Sequence, residues 1–345
     1  MYRWPAKLSV SQAWSRRGRV PLPCGRGSSV WSVVAILAAI SVTSLAQFRA
    51  DVRHVHIVAT VRNRSGQLVG GLQKSDFTIS DNGIPQEVAD FARQTDQPLS
   101  VALMIDVSGS TAKDLRFETD SAAKFVRALL ADSNPKDAIS LYGFDYDVNQ
   151  ETAFTHRLDL IQSKLKTIKG DAGTSLFDAI WYAAKDLESR EGRKVMVIVT
   201  DGGNTTSHKD SHQALEAAQL ADSVIYPVVV MPIVNDAGRN IGGENVLSYM
   251  AQGTGGRTFV PTLGAQLDKA FRDIISDLRT EYVLGYYPHN VPPTKDRFHT
   301  LQVGVKQPEL QVFARNGYYG DADALAGPTA PDSRVALDAV KKSKQ

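Results

Sequence analysis

Apolar residues follow two rhythms along this chain, and the change between them divides it. From Leu99 to Arg279, short continuous apolar runs alternate with stretches in which apolar residues mark one face of a helix. The runs Leu99 to Ile105, Ala138 to Phe144, Val195 to Val199 and Val224 to Val230 are rich in β-branched residues, which predicts strands covered on both faces. Between them, Ala122, Phe125, Val126, Leu129 and Leu130 fall on one helical stripe. Leu176, Ala179, Ile180, Ala183, Ala184 and Leu187 do the same, as do Leu267, Ala270, Phe271, Ile274, Ile275 and Leu278. Asp145-Tyr146-Asp147 predicts a turn into an antiparallel strand from Val148 to Phe154. Strands and helices in alternation predict an α/β fold: an open, mostly parallel sheet with helices on both faces.

The flanks carry the other rhythm. Val55, Ile57, Ala59 and Val61 alternate with His56, Val58 and Thr60, the pattern of a half-exposed strand. Phe77 and Ile79 begin another, and Asn82-Gly83 is a strong hairpin turn. Beyond the α/β region, Tyr282 to Tyr287, Leu301 to Val305 and Leu310 to Ala314 are again strand-like. Neither flank alone has enough strand to bury a core. Residues 51–97 and 281–319 are therefore expected to pair into one β-sandwich, with the domain of residues 98–280 inserted between them. Tyr286 and Tyr318 are expected in its core or at its edges. The Ala/Asp/Pro/Lys-rich tail, 320–345, has no period and reads as disordered.

Charge changes the picture at the N-terminus. The first acidic residue is Asp51, whereas Arg3, Lys7, Arg16, Arg17, Arg19 and Arg26 precede an apolar run from Val30 to Val42 and then Ser44-Leu45-Ala46. A basic segment, an apolar segment and a small-residue cleavage site make residues 1–46 a secretory signal. The 13-residue run is short for a membrane span, which needs ~20 residues, although an uncleaved anchor stays open. Cleavage after Ala46 removes six positive charges and takes the formal net charge from +2 to −4. The basic balance thus belongs to the targeting segment and gives no support for nucleic-acid binding. Cys24, the only cysteine, precedes the apolar run and is not placed as a lipoprotein cysteine, so the mature chain has no thiol. The expected location is periplasmic, cell-surface or secreted.

Candidate chemistry gathers where strands end. Ligands of open α/β sheets bind outside the carboxyl ends of the strands, and three segments converge there. Asp106, Ser108 and Ser110 follow the first apolar run, Thr174 lies in Gly170-Asp171-Ala172-Gly173-Thr174, and Asp201 lies in Thr200-Asp201-Gly202-Gly203 after Val199. Two carboxylates and three hydroxyls suit a small hard cation, Mg²⁺ or Mn²⁺. Gly109, Gly173 and Gly202 are expected to let the backbone turn closely around the ion.

At these residues the chain resembles the von Willebrand factor type A (VWA) domain family, over roughly Pro98 to Arg279. The resemblance implies a Rossmann-like domain with all five positions of a metal-ion-dependent adhesion site. It implies Ser108, Ser110 and Thr174 as direct ligands, with Asp106 and Asp201 acting largely through water or hydrogen bonds. Leu72 to Phe77, Asp81-Asn82-Gly83, Tyr282 to Tyr286 and Ala314 to Tyr319 further resemble the exported "VWFA-related" proteins of Acidobacteria-type bacteria. That likeness implies the architecture more than any partner.

A shell of neutral hydroxyls leaves the cation electrophilic and open to a partner's carboxylate. The expectation is an exported, non-enzymatic adhesion module that captures an acidic group of a protein partner. Two alternatives stand beside it: an envelope component whose metal only stabilises the fold, and a metal-dependent hydrolase. A haloacid-dehalogenase-type phosphatase wants a second aspartate where Ser108 stands, and a serine hydrolase wants Gly-x-Ser-x-Gly. His208 and His212, four apart, have zinc spacing but no evident third ligand. His54 and His56 show no acidic partner and read as solvated.

Overall fold

The computed structural model describes residues 54–320, apart from 94–96, 132, 232–238 and 293. The basic leader with Cys24, the cleavage position at Ala46 and the tail from residue 321 lie outside the described residues. Four strands come first: β1 (Val55–Arg62), β2 (Phe77–Asp81), β3 (Ile84–Gln86) and β4 (Asp90–Arg93). The α/β region follows with β5 (Leu99–Asp106), α1 (Leu115–Leu130), β6 (Ala138–Phe144), β7 (Val148–Thr155), α2 (Leu158–Thr167), α3 (Leu176–Glu188), β8 (Arg193–Thr200), α4 (Ser211–Leu220), β9 (Ser223–Val229), α5 (Ile241–Thr254) and α6 (Ala265–Arg279). The chain then returns to strands: β10 (Tyr282–Tyr286), β11 (Phe298–Val305), β12 (Gln311–Ala314) and β13 (Gly317–Tyr319). Among the described residues, no helix is long and apolar enough to cross a membrane.

The central sheet has the order β7-β6-β5-β8-β9, parallel throughout except for β7, which runs antiparallel to β6. All eight residues of β5 are buried, which is why its sequence reads as one apolar run. Successive side chains nevertheless serve different cores. Leu99, Val101, Leu103 and Ile105 pack with the stripes of α1, α2 and α6, while Ala102 and Met104 pack with α3, α4 and α5. The chain leaves β5 toward β6 on one side and later fills β8 on the other. The switch point therefore lies between β5 and β8, at their carboxyl ends.

The flanking strands form two four-stranded sheets, β12-β1-β10-β4 and β13-β11-β2-β3. Each mixes strands from both ends of the chain: β1 pairs with β10 from Val55↔Tyr286 to Ala59↔Tyr282, and β2 pairs with β11 from Asp81↔Leu301 to Phe77↔Val305. Val55, Ile57, Phe77, Ile79, Leu284 and Leu301 fill the space between the sheets, together with Tyr282, Tyr286 and Tyr318. The tyrosines bring hydroxyls inside, and Asp81 meets them. Fully buried, Asp81 accepts from the Tyr286 and Tyr318 hydroxyls at 2.7 and 2.8 Å, and His299 Nδ1 lies 3.1 Å away. These contacts offset the cost of burying a carboxylate.

For His54 the reading as a solvated histidine without an acidic partner is overturned, whereas His56 stands exposed as expected. His54 Nε2 sits 2.7 Å from Asp90 Oδ2 on β4, and His54 Nδ1 is 2.9 Å from His56 Nε2. The sequence hid this partner because β4 is a short, mostly exposed strand with no alternation to announce it.

Charged pairs tie the sandwich to the α/β region. Asp277, in the last turn of α6, pairs with Arg62 of β1 and accepts from Arg257 Nε at 2.8 Å. Two residues past α6, buried Glu281 pairs with Arg193 at 2.8 Å.

Candidate functional site

Asp106 closes β5 and Thr200 closes its neighbour β8, so the sheet itself sets their spacing. The Thr200 hydroxyl donates to Asp106 Oδ2 at 2.6 Å and accepts from the Gly202 amide at 3.0 Å. Asp106 Oδ1 accepts from the Ser108 amide at 3.0 Å. Both carboxylate oxygens of Asp106 are therefore already engaged within the protein. Beyond it the loop folds back on itself, with the Thr111 hydroxyl donating to the carbonyls of Asp106 and Ser108 at 2.9 and 3.0 Å. This places Ser108 Oγ 3.1 Å from Ser110 Oγ, the first buried and the second exposed.

The second loop arrives by a close backbone approach. A Cβ on Gly170 would lie 2.0 Å from the Val107 carbonyl oxygen, so only glycine lets residues 170–174 lie against the first loop. Gly173 then adopts φ +94°, and Asp145 braces the turn by accepting from the Asp171 amide at 2.8 Å. Loops two and three are laced together. The Thr205 hydroxyl accepts from the Thr174 amide at 3.0 Å, and the Thr205 amide donates to the Thr174 carbonyl at 2.8 Å. Ser207 Oγ caps α3 from outside by accepting from the Phe177 amide at 3.0 Å. Ser175, at the N-cap position, instead donates its hydroxyl to the Tyr146 carbonyl at 2.7 Å.

On the third loop, Asp201 Oδ1 accepts from the Gly203 amide at 2.9 Å. Asp201 Oδ1 and Thr174 Oγ1 both flank the Gly203 Cα, 3.0 and 3.6 Å from where its Cβ would be. Asn240, the N-cap of α5, holds this loop from behind through Nδ2 to the Gly202 carbonyl at 2.9 Å. All five predicted residues thus gather at the carboxyl edge of β5 and β8. Gly109 departs from expectation. It lacks a left-handed backbone and a Cβ there would meet nothing within 4 Å, so its position makes no demand for glycine. The demanding glycines are Gly170, Gly173 and Gly202, the last at φ +85°.

The site is electrically unbalanced. Burial pushes the Asp106 carboxyl up to about 6, against the pull of its Ser108 and Thr200 hydrogen bonds, and the Asp201 charge adds to the rise. A third acid, Glu118, enters from the first turn of α1. It is 1 % exposed, and burial raises its carboxyl well above the usual range, with repulsion from Asp106, Asp114 and Asp201 adding to the effect. No donor meets Glu118 Oε2. Sequence reasoning passed over Glu118 and Thr200. The signal for Glu118 was present: it stands four residues before Ala122, on the apolar stripe of α1.

A cation held here would depend on hydroxyls. Among the described residues, no group of three or more His, Cys, Asp or Glu side chains is placed to hold a metal. His208 turns to α3, its Nδ1 lying 3.1 Å from Asp178 Oδ2 and its amide donating to the same oxygen at 2.9 Å.

Fold and loops together define a class: an open α/β sheet with a hydroxyl and carboxylate cluster at its switch point. Residues 101–204 match the sequence profile described as "von Willebrand factor type A domain", and the chain carries such a VWA domain there. A search of curated proteins finds no match. Solved structures similar to this one include the conserved hypothetical protein BatB from Bacteroides thetaiotaomicron, at 18 % identity over 52 % of this chain and 98 % of that one, TM-score 0.42. The vWF domain of the type V pili tip protein Mfa5 from Porphyromonas gingivalis gives 15 %, 52 %, 94 % and 0.44 for the same quantities. The pilus adhesin SpaC from Lactobacillus rhamnosus GG, in an open conformation, gives 10 %, 72 %, 48 % and 0.44.

Proposed function

We propose that this protein is an exported, non-catalytic binding module that captures an acidic group of a protein partner through Mg²⁺ or Mn²⁺. Ser108, Ser110 and Thr174 would supply direct oxygen ligands. Asp106 and Asp201 would supply charge and orient the loops. The observation that carries this reading is the 3.1 Å separation of the two serine hydroxyls. Adjacent corners of an octahedron with ~2.1 Å bonds stand about 3.0 Å apart, so the pair has the spacing of neighbouring Mg²⁺ ligands. The chemistry of the set agrees: hard oxygen donors, and two carboxylates that a nearby cation would favour in the charged form.

The surroundings support capture of a partner over a purely stabilising metal. Large apolar side chains stand exposed beside each loop: Phe117 on the first turn of α1, Tyr146 against Gly173, and Ile241 at the start of α5, all more than half exposed. Such side chains around a polar centre suit the rim of a protein contact. Export rests on the basic and apolar pattern of residues 1–46.

The test is capture of envelope proteins by the protein in Mg²⁺ and in EDTA. A partner retained in Mg²⁺ and released by EDTA, and lost with Asp106→Ala while the circular dichroism spectrum stays unchanged, supports the reading. Equal capture in both buffers overturns it. A metal that raises the melting temperature with no partner released on chelation favours the envelope-component alternative.

A further inference from the structure

We infer that Glu118 is a further carboxylate of the cation site, acting on the metal's shell from the helix side and setting how tightly the metal is held. The inference rests on the cation reading of the three loops and deepens it. Glu118 lies in the first turn of α1, directly after the loop that carries Ser108 and Ser110, and is 1 % exposed. Its Oε2 is buried and no hydrogen-bond donor meets it. The charged groups acting on it, Asp106, Asp114 and Asp201, are all negative. A buried carboxyl oxygen without a donor, placed among other acids, is unfavourable unless something positive shares the space. Neighbouring positions of the stripe hold Ala122, Phe125 and Val126, so packing alone called for an apolar side chain.

A divalent cation at the hydroxyl cluster resolves this arrangement. It would meet charge from Asp106, Asp201 and Glu118, with Glu118 acting through its charge and through a water that the ion holds, because the three carboxyls are not placed to ligate one ion together. Three carboxylates around a doubly charged ion leave the loaded site slightly negative. Such a site retains its metal firmly and draws an incoming acidic group less strongly than a site with two. Glu118 thus trades affinity for the partner against retention of the ion. The balance is set by a helix residue outside the three loops.

Calorimetric titration of Mn²⁺ and Mg²⁺ into wild type, Glu118→Gln and Glu118→Asp at one pH tests this, with melting temperatures measured with and without metal. Glu118→Gln is expected to bind metal about 10- to 100-fold more weakly, the range for residues that support metal ligands. Without metal it should melt no lower than wild type, because a buried repulsion is removed, while its metal-induced rise in melting temperature shrinks. Glu118→Asp keeps the charge and should fall between the two. A merely structural glutamate would lower the metal-free melting temperature and leave metal affinity unmoved. Glu118→Gln binding Mn²⁺ within twofold of wild type overturns the inference and leaves the cation reading standing. If Glu118→Gln fails to fold, Glu118→Asp decides, and wild-type affinity in that variant overturns it. Absence of Mn²⁺ and Mg²⁺ binding by wild type overturns the cation reading itself, and this inference with it.

Discussion

The Thr200 hydroxyl donates to Asp106 Oδ2 at 2.6 Å, joining the ends of two neighbouring parallel strands where both residues are fully buried. An uncharged side chain on one strand thereby orients the carboxylate of the other. The same oxygen accepts from the Gly202 amide, so it also fixes the start of the third loop.

Thr200→Val keeps the shape and removes both hydrogen bonds, leaving Asp106 Oδ2 and the Gly202 amide unmet. The expected loss is about 1–3 kcal/mol, measured by urea unfolding. Thr200→Ser restores the hydroxyl and should recover most of it. If Thr200→Val matches wild type, the bond is dispensable.

Gly170 and Gly109 make a contrasting pair on adjoining loops. A Cβ at Gly170 would sit 2.0 Å from a backbone oxygen, whereas one at Gly109 meets nothing within 4 Å. Gly170→Ala should cost about 1–3 kcal/mol or more through forced backbone movement. Gly109→Ala should stay within about 0.5 kcal/mol of wild type. Thermal unfolding of both variants checks the contrast, and equal effects would refute it.

Glu281 should leave a mark on the pH dependence of stability. Burial pushes its carboxyl up to about 7, although Arg193 pulls it down, and Asp277 adds repulsion. Unfolded, it titrates near 4.3, so between roughly pH 4 and 7 the native state binds more protons than the unfolded chain. Stability contributed by this group therefore falls as pH rises through that window. Glu281→Gln should flatten the slope in urea unfolding at pH 5, 6 and 7. An unchanged slope rules out Glu281 as its source.

Asp277 stands between two arginines from different parts of the fold, Arg62 on β1 and Arg257 before the last helix. Asp277→Ala leaves two guanidinium groups facing each other around a buried gap. The expected cost is about 3 kcal/mol, read by chemical denaturation. Replacing Arg62 as well should cost less than the sum of the two single changes, since the pair is coupled.

Sequence periodicity carried most of the architecture. β5 and β8 were legible because burial on both faces leaves few polar positions to blur a run. The stripe of α6 was legible because one helical face meets the sheet. The loops after β5 and β8 were legible because hydroxyls and carboxylates followed those runs at short spacing. What escaped depended on contacts between segments far apart in the chain. Asp90 reaches His54 across the intervening strand β10, at Gly285, and β4 has no pattern of its own. The lacing of Thr174 by Thr205 has no signature in a Ser/Thr-rich loop. Gly109 misled for the opposite reason: glycine beside a suspected site invites a steric argument that the open space around it does not need.

The pairing of β1 with β10 has a kinetic consequence. Val55 meets Tyr286 only after the whole intervening domain has been made. Closing so long a loop is entropically unfavourable while that stretch is unstructured and far easier once it has condensed. The α/β region should therefore form first, with the sandwich closing last, as a clasp around a finished domain. Until then β1 and β2 emerge from synthesis without β10 and β11, with open edges that invite the wrong neighbour. Stopped-flow refolding should show this as a slow phase sensed by Tyr282 and Tyr286. That phase should lag behind the gain of helical signal.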